Sequence, residues 1–116
     1  MTVIIAEAGE NHCGDIGMAR QLVELAAVSG CDFVKFQLYD ADLAADDDPE
    51  KPWFRGVQIS AETWSHLVEH ARATGIKPLA TPWDVVQAER IFEAGLQEVK
   101  IASFHVPDLK LLRYVN

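Results

Sequence analysis

Cations are scarce in this chain of 116 residues: ten lysines and arginines stand against eighteen aspartates and glutamates, a formal net charge of −8 at pH 7. That balance argues against a nucleic-acid or anionic-membrane partner. It leaves room for a small anionic ligand, because a pair of lysines acts locally while distant charge is screened beyond about 10 Å. Cysteine is nearly absent too. Cys13 and Cys31 form no CxxC pair, and the helix of about 14 residues expected between them would rise roughly 20 Å, against the about 7 Å that a disulfide tolerates between Cα atoms. Both read as free thiols, which points to a cytosolic compartment. No apolar run approaches the about 20 residues of a membrane span. The N-terminus "MTVIIAEAG" lacks a basic stretch ahead of its brief apolar run, so no signal peptide is read there.

What is present is an ordinary globular composition, 49% hydrophobic and 24% charged, enough for the core of one small domain spanning 1–116. The β-branched run "TVIIAE" (2–7) predicts a strand. Asp15 predicts an N-cap for a helix over 16–30, with Met18, Leu22, Leu25 and Ser29 on one face and Gly30 at its end. "CDFVKFQLY" (31–39) predicts a second strand. The stretch 40–52 holds two prolines and six acidic residues, all between 40 and 50, and reads as a solvated loop. Ser60 caps a helix over 61–74 whose apolar face is Trp64, Leu67, Val68 and Ala71, stopped by Gly75. "IKPLAT" (76–81) predicts a third strand. Asp84 with Gln87 resembles a capping box for a helix over 85–94, and Gly95 ends it. "EVKIAS" (98–103) predicts a fourth strand, and Pro107 at a favoured first position opens a helix over 107–115.

Strict βα alternation means an α/β protein with a parallel sheet and right-handed crossovers. Two architectures fit. A (βα)4 half of a (β/α)8 TIM barrel would run its strands in the order 1-2-3-4 with the helices on one face. An open flavodoxin-like sheet would run 2-1-3-4 with helices on both faces. In either, ligands meet the C-terminal strand ends, where Glu7, Lys35, Gln37, Thr81, Lys100 and Ser103 fall. Charges inside parallel strands need partners or a site. Glu7 pairing with Lys35 or Lys100 as a structural ion pair is one reading. The other is an anion site, with ammonium groups supplying charge and hydroxyls supplying orientation, so that Lys35 and Lys100 converge on one ligand.

The stretches "IIAEAGENHCG", "FVKFQ", "LATPWD" and "VKIAS", in that order, resemble the N-terminal half of the N-acetylneuraminate (sialic acid) synthase family, and the likeness covers nearly the whole chain. The resemblance implies a TIM barrel, usually followed by an antifreeze-like domain that has no counterpart here. It implies a cytoplasmic transferase of carbohydrate biosynthesis that condenses phosphoenolpyruvate with N-acetylmannosamine or a related N-acetylated amino sugar. Phosphoenolpyruvate attacks the open-chain aldehyde through its methylene carbon, water adds to the cationic carbon, and phosphate leaves. A divalent metal (Mn or Mg) is expected as Lewis acid, held by histidines of the second half of the barrel and therefore by no residue of this chain. Lys35, Thr81, Lys100 and Ser103 look like phosphoenolpyruvate contacts, and Glu7 looks like the catalytic residue beside the reacting carbonyl. Asn11 and His12 match the "NHxG" loop, as ligand contacts or as residues that order it. His105 stands where relatives often carry an acid. A half barrel exposes strand edges and an open face, so a homo-oligomer or a complementary half barrel is the expected partner. The alternative function is a non-catalytic anion-binding or assembly module. "HLVEH" (66–70) matches a zinc-protease pattern, but both histidines are expected to face solvent, away from the strand ends.

Overall fold

The computed structural model describes residues 1–116. Three strands and five helices form: β1 (Ile5–Gly9), α1 (Ile16–Val28), β2 (Phe33–Leu38), α2 (Lys51–Val57), α3 (Ala61–Thr74), β3 (Lys77–Pro82), α4 (Val85–Glu93) and α5 (Leu109–Val115), with single 3₁₀ turns at Ala41–Leu43 and Ser103–His105. The strands make a parallel sheet in the order β1-β2-β3. That is the sequential order of the half-barrel expectation. A flavodoxin-like order would have put β1 between the other two.

Register assigns the two faces. Glu7 lies opposite Lys35, Lys35 opposite Leu79, and Gln37 opposite Thr81. The alternate residues Ala8, Val34, Phe36, Leu38 and Ala80 form the core with Val23 of α1, Trp64, Leu67 and Val68 of α3 and Ile91 of α4. β2 is central and has the longest apolar alternation, which is why Phe36 and Leu38 are among its most deeply buried side chains. The predicted caps form: Asp15 accepts from Met18 N–H, Ser60 from Thr63 N–H and Asp84 from Gln87 N–H.

Four expectations need correction. The buried stripe of α1 is Ala19, Val23 and Ala26, with Met18 and Leu25 exposed and Leu22 partly buried. The buried positions fall at i, i+4 and i+7, one residue round from the predicted stripe, which turns the larger residues outward. Residues 98–103 form no strand; a single ladder bond, Lys100 N–H to the Ala80 carbonyl at 3.0 Å, ties them to β3 before the chain turns at Ser103. With a hydrogen-bonding neighbour on one side only, this segment has half the ladder of a central strand. The last helix starts at Leu109, because Asp108 accepts from both Lys110 and Leu111 N–H and so outranks Pro107 as the start signal. The stretch 40–52 is solvated at five of its six acidic residues, as expected, yet it is folded around a lysine and is not an open loop. Lys51 is buried, and its ammonium binds the carbonyls of Ala44 (2.8 Å) and Asp42 (3.4 Å) and the carboxylate of Asp46 (2.8 Å). No helix is long and apolar enough to cross a membrane.

Candidate anion site at the strand ends

Lys35 occupies the central strand and is only 8% exposed. A buried ammonium must be paired, and it forms an ion pair with Glu7 across the β1–β2 register and donates to Thr81 Oγ1 at 3.2 Å across the β2–β3 register. An ammonium carries three N–H donors; these partners leave one without a protein acceptor. A register irregularity between Glu7 and Gly9 turns β1 at this point. Gly9 has φ +52°, and a Cβ there would sit 3.2 Å from Glu7 Oε1, so glycine both permits the turn and leaves the space where the carboxylate lies. Two residues further along the same face, Trp83 Nε1–H donates to Gln37 Oε1 at 2.9 Å.

The hydrogen-bond offset that aligns Phe33 with Ile5 and Lys77 with Phe33 aligns Lys100 with Thr81. Lys100 thus falls in register beside the hydroxyl that Lys35 bonds, and it is exposed. Ser103, expected at a strand end, sits exposed in the 3₁₀ turn. Of the two loop residues, Asn11 is exposed. His12 is buried: its Nδ1 accepts from Gly14 N–H at 3.1 Å and its ring lies 6.1 Å from that of Phe36. Burial lowers the His12 pKa below the ordinary imidazole value, and a neutral ring accepting at Nδ1 carries its proton on Nε2. The Gly14 bond orders the loop, while Nε2 is buried with no hydrogen-bond partner. The next turn meets α2 closely, since a Cβ on Gly14 would come within 2.2 Å of the Gly56 carbonyl.

Two groups at this rim were not anticipated. Glu10 follows β1 directly and is half-buried; burial, then the negative charge of Glu7, raise its pKa above the ordinary carboxyl value, with Lys35 opposing. Tyr39 follows β2 and is 3% exposed, its hydroxyl buried without a hydrogen-bond partner. Burial, then the neighbouring Glu10 charge, raise the phenol. The signal was a second glutamate three residues after the first, just past a strand. An aromatic group adjoins them: the Trp83 ring lies 4.5 Å from Tyr39, 5.6 Å from Phe54 of α2 and 5.5 Å from Phe104.

The two histidines of "HLVEH" part ways. His66 is exposed, whereas the His70 side chain is 16% exposed, its Nε2 3.0 Å from Glu24 of α1 and its Nδ1 3.5 Å from Arg20. It faces α1, not solvent, because α1 and α3 pack side by side. No three His, Cys, Asp or Glu side chains cluster as a metal centre would require.

The fold is thus an α/β domain whose parallel sheet joins a lysine, a carboxylate and a hydroxyl from three strands. Residues 22–116 match the model of the NeuB family, and the chain belongs to that family. It is 33% identical to N,N'-diacetyllegionaminic acid synthase of Campylobacter jejuni, over 98% of this chain and 39% of that protein. It is 32% identical to the spore coat polysaccharide biosynthesis protein SpsE of Bacillus subtilis, over 97% of this chain and 33% of that one. The crystal structure of N-acetylneuraminic acid (sialic acid) synthetase from Leptospira borgpetersenii, in complex with citrate, superposes with a TM-score of 0.90 at 28% identity, covering 97% of this chain and 41% of that chain. The chain therefore spans about two fifths or less of the length of these relatives.

Proposed function

We propose that this chain is the phosphoenolpyruvate-binding N-terminal half of a nonulosonic acid synthase barrel. The observation that carries the reading is Lys35, a buried ammonium with one N–H unspent at the C-terminal strand ends. Lys35 and Lys100 supply charge to the carboxylate and phosphate of phosphoenolpyruvate, and Thr81 and Ser103 supply orienting hydroxyls. Glu7 contacts the N-acetylated amino sugar near its reacting carbonyl, with Asn11 and His12 shaping the loop above. The synthase names of the relatives support the reaction class, and the citrate complex of the Leptospira enzyme supports a taste for anions. The family's divalent metal (Mn or Mg) supplies Lewis-acid activation of the aldehyde, and its ligands belong to the rest of the barrel. The partner that closes the sheet is a complementary half barrel or a second copy.

Two measurements test this. Phosphoenolpyruvate titrated into the chain by calorimetry should bind, and Lys100→Met should weaken binding by about 1.5–3 kcal/mol, the worth of a charged hydrogen bond. The chain alone, with phosphoenolpyruvate, amino sugar and manganese, should give no condensation product, and a complementary C-terminal half should restore it. Absence of phosphoenolpyruvate binding would sink the reading. Product from the chain alone would refute its incompleteness. Binding without restored condensation favours the anion-binding module.

A further inference from the structure

Arg90, on α4, is partly buried without a counter-ion. Its Nη1–H donates to the neutral Gln87 Oε1 at 3.0 Å, and no carboxylate lies within ion-pair distance of it. Gln87 is itself buried, so it fixes the guanidinium while leaving its charge uncompensated and its other donors free. Arg90 lines two adjoining crevices beside the start of α3, of about 120 and 220 Å³, which share Ala61. The smaller is closed by Ala61, Trp64 and Ser65 of α3 and by Arg90, Glu93 and Ala94 of α4. A water takes up about 30 Å³, so this space holds a few waters or one small oxyanion.

Donors gather around it. Ser60 caps α3 by accepting from Thr63 N–H, and its carbonyl accepts from Trp64 N–H. The amides of Ala61 and Glu62 have no acceptor within the helix, and the positive end of a 14-residue helix falls on the crevice. Trp64 is 1% exposed, and its Nε1–H, a group that can only donate, is buried with no acceptor. Buried donors of this kind are rare in folded proteins. The nearby acids are engaged elsewhere or held off. Glu62 lies 3.9 Å from His66, Asp40 of the larger crevice accepts from Asp42 N–H, and Glu93 is exposed and unpaired. A guanidinium, an indole N–H and a helix N-terminus thus border one space.

We propose that the crevice between α3 and α4 is a second anion site, sized for inorganic phosphate and separate from the strand ends. Arg90 supplies charge and a fork of N–H groups, Trp64 Nε1–H supplies one directed bond, and the first turn of α3 supplies amide donors. Lys35 lines neither crevice, so the site stands independently of the phosphoenolpyruvate reading.

Inorganic phosphate is the probe, and the reporters are the three indole N–H resonances of the isotope-labelled chain, from Trp53, Trp64 and Trp83, assigned by triple-resonance spectra. Phosphate at constant ionic strength should shift the Trp64 signal saturably. Arg90→Gln should weaken that binding at least about tenfold, the loss expected for a charge-assisted hydrogen bond. Arg90→Lys, which keeps the charge and loses the fork, should fall between the two and serves in its place if Arg90→Gln does not fold. Glu93→Gln should tighten binding several-fold by removing a negative charge from the border. In Lys35→Met the Trp64 titration should be unchanged. A Trp64 signal that stays still in the wild type, that moves equally with chloride, or that titrates as in wild type in both Arg90 variants overturns the proposal. So does weaker binding in Glu93→Gln. Loss of the titration in Lys35→Met would mean that phosphate acts from the strand ends, and would overturn it as well. Phosphoenolpyruvate binding at Lys35 is read by its own titration and stands or falls apart from these results.

Discussion

Lys51 and Lys35 are buried to nearly the same depth, 7% and 8% exposed, yet their ammonium groups are used differently. Lys51 is surrounded by three acceptors from a single acidic turn, two of them backbone carbonyls, so each of its three donors has a partner. Arg55 bonds Asp42 in the same turn. Lys35 has one half-exposed carboxylate and one hydroxyl, from two different strands. Burial of a lysine therefore does not by itself mark a site. What separates the two is saturation: a fully coordinated ammonium holds the chain together, and one with a spare donor and an exchangeable partner is available to a ligand.

Substitution can break that contrast in either direction. The largest effect is expected for Lys51→Met, which strands two inward carbonyls and should cost about 1–3 kcal/mol, read as a lowered midpoint in urea, with phosphoenolpyruvate affinity unchanged in the folded protein. An unchanged midpoint would remove the structural half of the comparison. Lys35→Met should do the reverse: stability within about 1 kcal/mol of wild type, since Glu7 can hydrate, but phosphoenolpyruvate binding lost in calorimetry. The smallest effect concerns His12. Its pKa is lowered by burial from the ordinary 6.5, so between the folded and unfolded values the unfolded chain binds the extra proton. Stability is then greatest above the ordinary value and declines as pH falls through it. Urea midpoints compared above and below that value should show the decline, and His12→Asn should lose it.

Much of this was legible because it is local or periodic. A cap such as Asp15, Ser60 or Asp84 reaches a backbone N–H three residues away, so sequence spacing alone identifies it. Strand alternation sufficed to bring Glu7, Lys35 and Thr81 to one rim. The Lys51 turn was hidden because its acceptors are carbonyls, which every residue has, and a run of aspartates looks the same whether solvated or wrapped round a cation. The α1 face was misread because alanine signals little by its own hydrophobicity; the tertiary neighbours of the helix decided for Ala19 and Ala26 over Met18 and Leu25. The segment 98–103 has a strand-like composition, but composition does not supply a neighbour with which to pair.

The contact of Gly14 with the Gly56 carbonyl makes the mouth of the site a coupled linkage. The loop carrying Asn11 and His12 and the helix carrying Trp53 and Phe54 touch backbone to backbone, with no side chain between them to act as a cushion. Displacing one therefore pushes on the other without slack. From that helix, the ring contact of Phe54 with Trp83 and the Trp83 bond to Gln37 lead to a position two residues from Lys35 on its own strand. A side chain as small as a methyl group at position 14 would act as a wedge, forcing loop and helix apart at the mouth of the site.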